Sequence, residues 1–197
     1  MADTNTRRTI GQFKSNLAGG GARPNLFEVE FTDDAIKGEG SSSWDMERFS
    51  FLCKAASLPA QTITAIDVPF RGRLFKVAGD RTVDVWTVTV INDEDFTFRN
   101  SFEKWTELIV QLSNNQGATN PSSYMSDAVV KQLGRGAKPF SETSDPNSTE
   151  QAVLKTYKFI DMFPTNISAI DLSYDSGDAI EEYTVEFAVN NIIIDGQ

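Results

Sequence analysis

The sequence predicts a mainly β protein, an antiparallel β-sandwich or half-barrel with one α-helix packed outside it. Three observations carry that expectation. Period-two alternation recurs along most of the 197 residues, the links between alternating segments are short and rich in turn formers, and only one stretch holds a long helical stripe.

The first 22 residues are polar and close on Gly19-Gly20-Gly21, a flexible joint, so 1–22 reads as an arm and 23–197 as the folded domain. Within the arm Ile10, Phe13 and Leu17 fall three and four apart, the spacing of a short amphipathic helix. Such a segment is either a frayed terminus or an arm that docks its apolar side chains on another subunit. Residues 25–31 (NLFEVEF) alternate Phe27, Val29 and Phe31 against Leu26, Glu28 and Glu30, the pattern of a first strand. Residues 33–45 are Gly- and Ser-rich and read as a long loop with one aromatic, Trp44, which either tucks back onto its own domain or anchors an interface.

Phe49 to Ala56 reads as a second strand, closed by Leu58-Pro59, and Thr62 to Val68 as a third. Arg73 to Val77 follows a turn at Arg71-Gly72, and Gly79-Asp80 reads as a further turn into a strand from Thr82 to Ile91. That strand contains VDVWTVTVI (83–91), neither face of which is properly polar. If Trp86, Val88 and Val90 point into a core, the valines and threonines opposite need other cover, which a neighbouring subunit would supply. Asp93-Glu94-Asp95 then precedes a helix from about Thr97 to Ser113, whose Phe98, Phe102, Trp105, Ile109 and Leu112 make one apolar stripe. The expected cap is Asp95 or Thr97, and the acidic trio suits the positive end of the helix dipole better than metal or acid–base chemistry.

Asn114 to Ser123 is turn material, Ala128 to Leu133 reads as a short strand, and Gly134 to Gln151 as a polar, Pro/Gly-rich insertion. Three strands finish the chain: Lys155 to Phe163, Ile167 to Tyr174 and Glu182 to Ile194. In the last, Tyr183, Val185, Phe187 and Val189 share one face and Glu182, Thr184 and Glu186 the other, and the turn at 175–178 joins it to its predecessor as a hairpin. A polar row on such a strand faces either a channel or bulk solvent.

Composition narrows function. A net charge of −10 argues against tight binding to phosphate backbones, because such binding gains its free energy from counterions displaced by Lys and Arg. The absence of histidine removes the commonest general base and metal ligand, and with them every Ser-His or Cys-His mechanism. The single cysteine, Cys53 in FSFLCKAA, cannot form an internal disulfide and reads as a buried structural thiol. No apolar run approaches the roughly 20 residues of a membrane span, so a soluble chain with no membrane partner is expected. Arg7-Arg8 lacks the apolar stretch of a twin-arginine signal behind it, and the sequons at Asn147 and Asn166 have no secretory context. Phosphate-binding loops, dinucleotide fingerprints, nucleophile elbows and paired cysteines are missing from the sequence, so no catalytic residue, cofactor or metal is expected. The enzyme class that stays open is a β-sandwich hydrolase or binding module working through Asp and Glu in a pocket.

Several segments in register resemble the tail tube proteins of contractile-tailed, T4-like bacteriophages. They are GGGARPNLFEVEF (19–31), AASLPAQTI (55–63), VAGDRTVDVWTVTVINDEDFTFRNSFEKW (77–105), NPSSYMSDAVVKQL (120–133) and FPTNISAIDLSYDSGDAIEEYTVEF (163–187). The resemblance implies a subunit whose sheet completes a larger barrel in a hexameric ring. It also implies that rings stack into a hollow tube inside a contractile sheath, with a tape measure protein inside the tube before packaging. Tail terminator and baseplate proteins would cap its ends, and double-stranded DNA would pass through without tight binding. It places the protein in the virion tail, assembled in the host bacterial cytoplasm, and implies inter-subunit contacts at Ile10, Phe13, Leu17, Trp44, Leu58 and Pro59. Glu182, Thr184 and Glu186 are then candidates for the lumen, where acidity would keep DNA from sticking. The insertion 134–151 departs from the family pattern and bears on the outer, sheath-facing surface. A phage-derived contractile injection or secretion system with a protein cargo is the alternative within the same fold.

Overall fold

The computed structural model describes residues 10–17, 21–31, 46–137, 151–175 and 177–196. Over these the protein is mainly β. The helices are α1 (Ile10–Asn16), α2 (Met46–Leu52) and α3 (Thr97–Ile109), and the strands are β1 (Phe27–Phe31), β2 (Cys53–Ala56), β3 (Gln61–Phe70), β4 (Arg73–Val83), β5 (Trp86–Ile91), β6 (Ser126–Ala137), β7 (Gln151–Ile167) and β8 (Glu182–Gly196). Six strands form one sheet in the order β1-β6-β7-β8-β5-β2, while β3 and β4 pair only with each other. β5 runs antiparallel to β8 from Trp86 opposite Phe187 to Ile91 opposite Glu182, and β2 antiparallel to β5. The chain divides into two compact units, residues 29–130 with 157–195, and residues 1–28 with 131–156 and 196–197.

In the larger unit, aromatic side chains from distant strands meet. β1 and β5 are separated by three intervening strands, about 19 Å if the sheet were flat. The Phe31 and Trp86 rings nevertheless lie 6.1 Å apart, and Phe31 is 5.8 Å from Phe187. A sheet can bring them together only by curling, which makes the half-barrel expected from the pattern. Trp86 stacks on Phe159 at 4.5 Å inside the curl. α3 covers the open concave side with Phe98, Phe102 and Trp105, all buried, and Trp105 Nε1 donates to Tyr124 O at 2.6 Å. Phe31 has no exposed surface and touches rings from α2, β5, α3 and β8, so it is the hub of the core.

Several local expectations are corrected. Residues 49–52 are helix, not strand: α2 turns Phe49 into the core against Phe31 at 5.0 Å and leaves Phe51 exposed, a division that strict alternation would not produce. α3 ends at Ile109 rather than Ser113 because the chain folds back, with Gln111 N donating to Gln116 O and Ala118 N to Leu108 O, so Leu112 is almost fully exposed instead of continuing the stripe. Its N-cap is Phe96, in the left-handed region at φ 52°, with no side-chain cap. Asp93 is spent elsewhere: its carboxylate, nearly buried, accepts from Arg48 of α2 at 3.0 Å. Residues 168–175 form no strand, and β7 is instead a single long strand from Gln151.

The smaller unit is held by pairing of β1 with β6. Leu133 N donates to Leu26 O at 2.9 Å, Gln132 Nε2 reaches the carbonyls of Arg23 and Leu26, and Lys131 faces Glu28 at 3.7 Å. β6 runs to Ala137 and β7 begins at Gln151, so the ends of the expected insertion 134–151 are strand; residues 138–150 lie outside the described residues.

Candidate assembly surface

Alternation in β3 and β4 builds a ribbon with one apolar face. Ile66 lies opposite Val77 and Val68 opposite Phe75, and Phe70 follows on the same side. The other face carries Asp67 opposite Lys76, ion-paired at 3.0 Å, and Pro69 opposite Leu74. A two-residue turn closes the ribbon, with Arg71 at φ 44° and Gly72 at φ 78°, both positive as this hairpin geometry requires. Gly79 is not the turn that the sequence suggests. β4 passes straight through it, and pairing slips there, from Ile63 opposite Arg81 to Ala65 opposite Ala78. A Cβ at Gly79 would sit 2.8 Å from Thr64 O, so the bulge needs glycine.

Almost none of this ribbon is covered. No residue of β3 or β4 is buried, and Phe70, Leu74 and Phe75 are each about two-thirds exposed. An isolated two-stranded hairpin is marginal in water, and a contiguous apolar face on one marks a contact with another molecule. The hairpin joins the curled sheet through a narrow neck, where Asp84 N donates to Ala60 O at 3.0 Å.

The residues singled out by the sequence fall on other parts of the surface. Ile10, Phe13 and Leu17 are exposed on and just after α1, with no buried residue in that helix. Leu58 is exposed and Pro59 half-buried in the link from β2 to the hairpin. Trp44 lies outside the described residues. Glu182, Thr184 and Glu186 alternate with buried Tyr183, Val185 and Phe187, so they share the face of β8 turned away from the core. There they stand beside Ile91, Thr89 and Thr87 of β5, and Lys54 pairs with Glu182 at 2.5 Å. The second face of VDVWTVTVI is therefore a half-buried row of threonines and an isoleucine rather than a core layer.

The sequence did not signal the segment between β7 and β8. Residues 169–174 and 179–182 line an open groove of about 670 Å³, with Leu172, Tyr174 and Ile180 strongly exposed on it. The thiol of Cys53 offers no chemistry at this surface: burial pushes it up to about 12, far from a reactive thiolate. Burial also raises the Tyr183 hydroxyl, against the opposing pull of Arg99, whose guanidinium lies 5.2 Å from the ring.

Residues 22–194 match the family described as phage tail tube protein. The tail tube protein gp19 of Enterobacteria phage T4 is 35% identical over 169 residues, covering 86% of this chain and 89% of that one, and its counterpart in Enterobacteria phage T6 is equally similar. Among solved structures, the anti-feeding prophage tube terminating cap superposes with a TM-score of 0.59 at 15% identity, over 90% of this chain and 92% of that one. The sheath/tube terminator of the extracellular contractile injection system PVC, in its extended state, gives 0.57 at 14% identity over 89% and 97%. At these identities the two structures speak to the fold alone.

Proposed function

The chain belongs to the phage tail tube protein family and is a tail tube subunit, and from that premise we propose that it assembles into hexameric rings stacked as a hollow conduit inside a contractile sheath. The observation that carries this reading is the β3–β4 ribbon, whose apolar face has no cover among the described residues. The six-stranded sheet adds to it, since β2 ends the strand order with no further strand beside it among the described residues, and such an edge is a liability unless another copy pairs with it. Repeating that edge-to-edge contact around an axis closes a ring.

In this assembly the face of β8 bearing Thr184 and Glu186, with Thr87 and Thr89 beside it, is the candidate lumen wall. Small polar side chains and fixed carboxylates there would let double-stranded DNA slide without adhesion, because like charges repel and no basic row displaces counterions. Glu182 is a weaker candidate, its charge being offset by Lys54. The exposed α1 side chains Ile10, Phe13 and Leu17 are proposed to dock on a neighbouring subunit, with Leu58, Pro59 and Trp44 at further contacts. Sheath, tape measure, terminator and baseplate proteins are the proposed partners, the virion tail the proposed location after assembly in the host cytoplasm, and no catalytic step is assigned to the chain. The 35% identity to phage tube proteins favours DNA over a protein cargo.

Negative-stain electron microscopy of the purified chain over a concentration series, with and without a stacking-promoting salt, tests the reading. Rings or hollow rods of uniform diameter are expected. A chain that stays monomeric at every concentration, with or without pre-formed tube ends as seeds, would overturn it.

A further inference from the structure

We infer that the tip of the β3–β4 hairpin of one copy seats in the groove between β7 and β8 of the next copy, joining subunits head to tail. The inference rests on the tube-subunit reading and adds which two surfaces meet. The first argument is charge. From Phe70 to Phe75 the ionic side chains are Arg71 and Arg73, set among exposed Phe70, Leu74 and Phe75, while Asp67 and Lys76 below them neutralise each other at 3.0 Å. The hairpin tip is thus basic and apolar. From Ala169 to Glu182 the sequence has Asp171, Asp175, Asp178, Glu181 and Glu182 and no basic residue. Glu182 is taken by Lys54 and Glu181 accepts from Asn92 at 2.9 Å, whereas Asp171, Asp175 and Asp178 are exposed and make no ion pair among the described residues. Asp171 lines a groove whose apolar wall is Leu172, Tyr174 and Ile180, while Asp175 follows and Asp178 precedes a lining residue in the chain, Tyr174 and Ala179 respectively. Each surface supplies what the other lacks.

The second argument is position. The hairpin is rooted at Ala60 and Asp84, just ahead of Trp86, which lies opposite Phe187. The groove begins at Glu182, opposite Ile91, at the other end of the same strand pair. The two roots therefore stand at opposite ends of β5 and β8, and within one chain both surfaces stay exposed. Between copies held in the same orientation, as in a tube, complementary patches at opposite ends of a subunit meet one on each neighbour. They make a heterologous contact that repeats along an axis, which is the geometry of a stack.

The experiment exchanges the charges. One variant carries Arg71→Glu with Arg73→Glu, a second carries Asp171→Lys with Asp175→Lys, and a third carries all four; tube formation is read by pelleting and negative stain beside the parent chain, with melting curves to confirm folding. Each double variant alone is expected to raise the concentration needed for tubes by about tenfold or more, since like charges then face each other. The fourfold variant, and an equimolar mixture of the two doubles, are expected to recover tubes. Where reversal lowers the melting point, Arg71→Gln with Arg73→Gln preserves size and should weaken stacking in the same direction. Parent and double variants stacking equally well would overturn the pairing while leaving the tube reading intact, as would loss in the doubles without recovery in the fourfold variant. A parent chain that forms no rings or tubes would instead overturn the reading beneath it.

Discussion

Replacing the hairpin by a two-residue turn separates assembly from folding. Asp84 N donates to Ala60 O at 3.0 Å, the closing bond of a β-turn, so Asn-Gly inserted between those residues in place of 61–83 reproduces the existing neck. No side chain in the removed segment is buried, so the core around Phe31 loses nothing. Shortening the connection from 23 residues to two lowers the loop-closure cost by about 2 kcal/mol. The lost cross-strand pairs, at about 0.2–1 kcal/mol each, act in the opposite direction. Nine registered pairs are lost, and none of their residues is buried, so the low end of that range applies, about 2 kcal/mol in all. The two terms nearly cancel, and stability should change by less than about 2 kcal/mol, a melting shift of at most about 4–8 °C. The assay is a thermal melt of the monomeric variant, with sedimentation velocity and negative stain at concentrations where the parent assembles. A folded chain that never forms tubes is the expected result. A melting point lowered by more than about 15 °C would show that the hairpin belongs to the core, and tubes of unchanged diameter would refute its part in assembly.

Phe31→Ala should do the reverse, costing about 3–5 kcal/mol by emptying the centre of five ring contacts and lowering the urea midpoint by about 2 M. Gly79→Val should leave the melting point within a few degrees but disorder the hairpin register, because its Cβ would lie 2.8 Å from Thr64 O and 3.0 Å from Ile66 Cγ1; amide exchange along β3 and β4 would read this directly. Burial raises the Cys53 thiol from an ordinary 9.0 to about 12, so its thiolate fraction in the native chain at pH 8 falls about a thousandfold and alkylation should be slow until urea is added. The unfolded chain gives up that proton first, so this contribution to stability is complete below pH 9 and declines as pH rises towards 12, which melts across that range would follow.

What could be read from the sequence was what alternation reports. In β8 every second residue from Tyr183 to Phe187 enters the core, and in β5 Trp86, Val88 and Val90 do the same, so the inward face of both strands was legible. The strand expected from Thr82 to Ile91, however, breaks at Asp84-Val85, with Thr82 and Val83 belonging to β4. In α3 three aromatics at helical spacing were enough. α2 escaped because its seven residues are too few to show a helical period, and its Phe-Ser-Phe mimics a strand. The run ISAIDLSY has alternation but no strand to pair with, since β7 and β8 have already separated after Ser168 meets Thr184. Gly79 read as a turn because bulges and turns draw on the same residue. The assembly surface was only half legible for a related reason. Alternation says that a segment has two faces, but whether a face is covered depends on partners distant in the chain, so the uncovered ribbon and the groove at Leu172, Tyr174 and Ile180 emerged only from the fold.

The neck at Ala60 and Asp84 also bears on timing. A two-stranded ribbon joined to its sheet through this neck gains little from its own pairing, and fixing its residues costs conformational entropy that only a receiving surface can offset. The first encounter between two free chains bears that cost on both sides with few contacts in return, whereas a chain arriving at an existing end meets a prepared seat. Polymer growth should then show a lag that pre-formed ends abolish, and a cell could hold a pool of free subunits until a template appears.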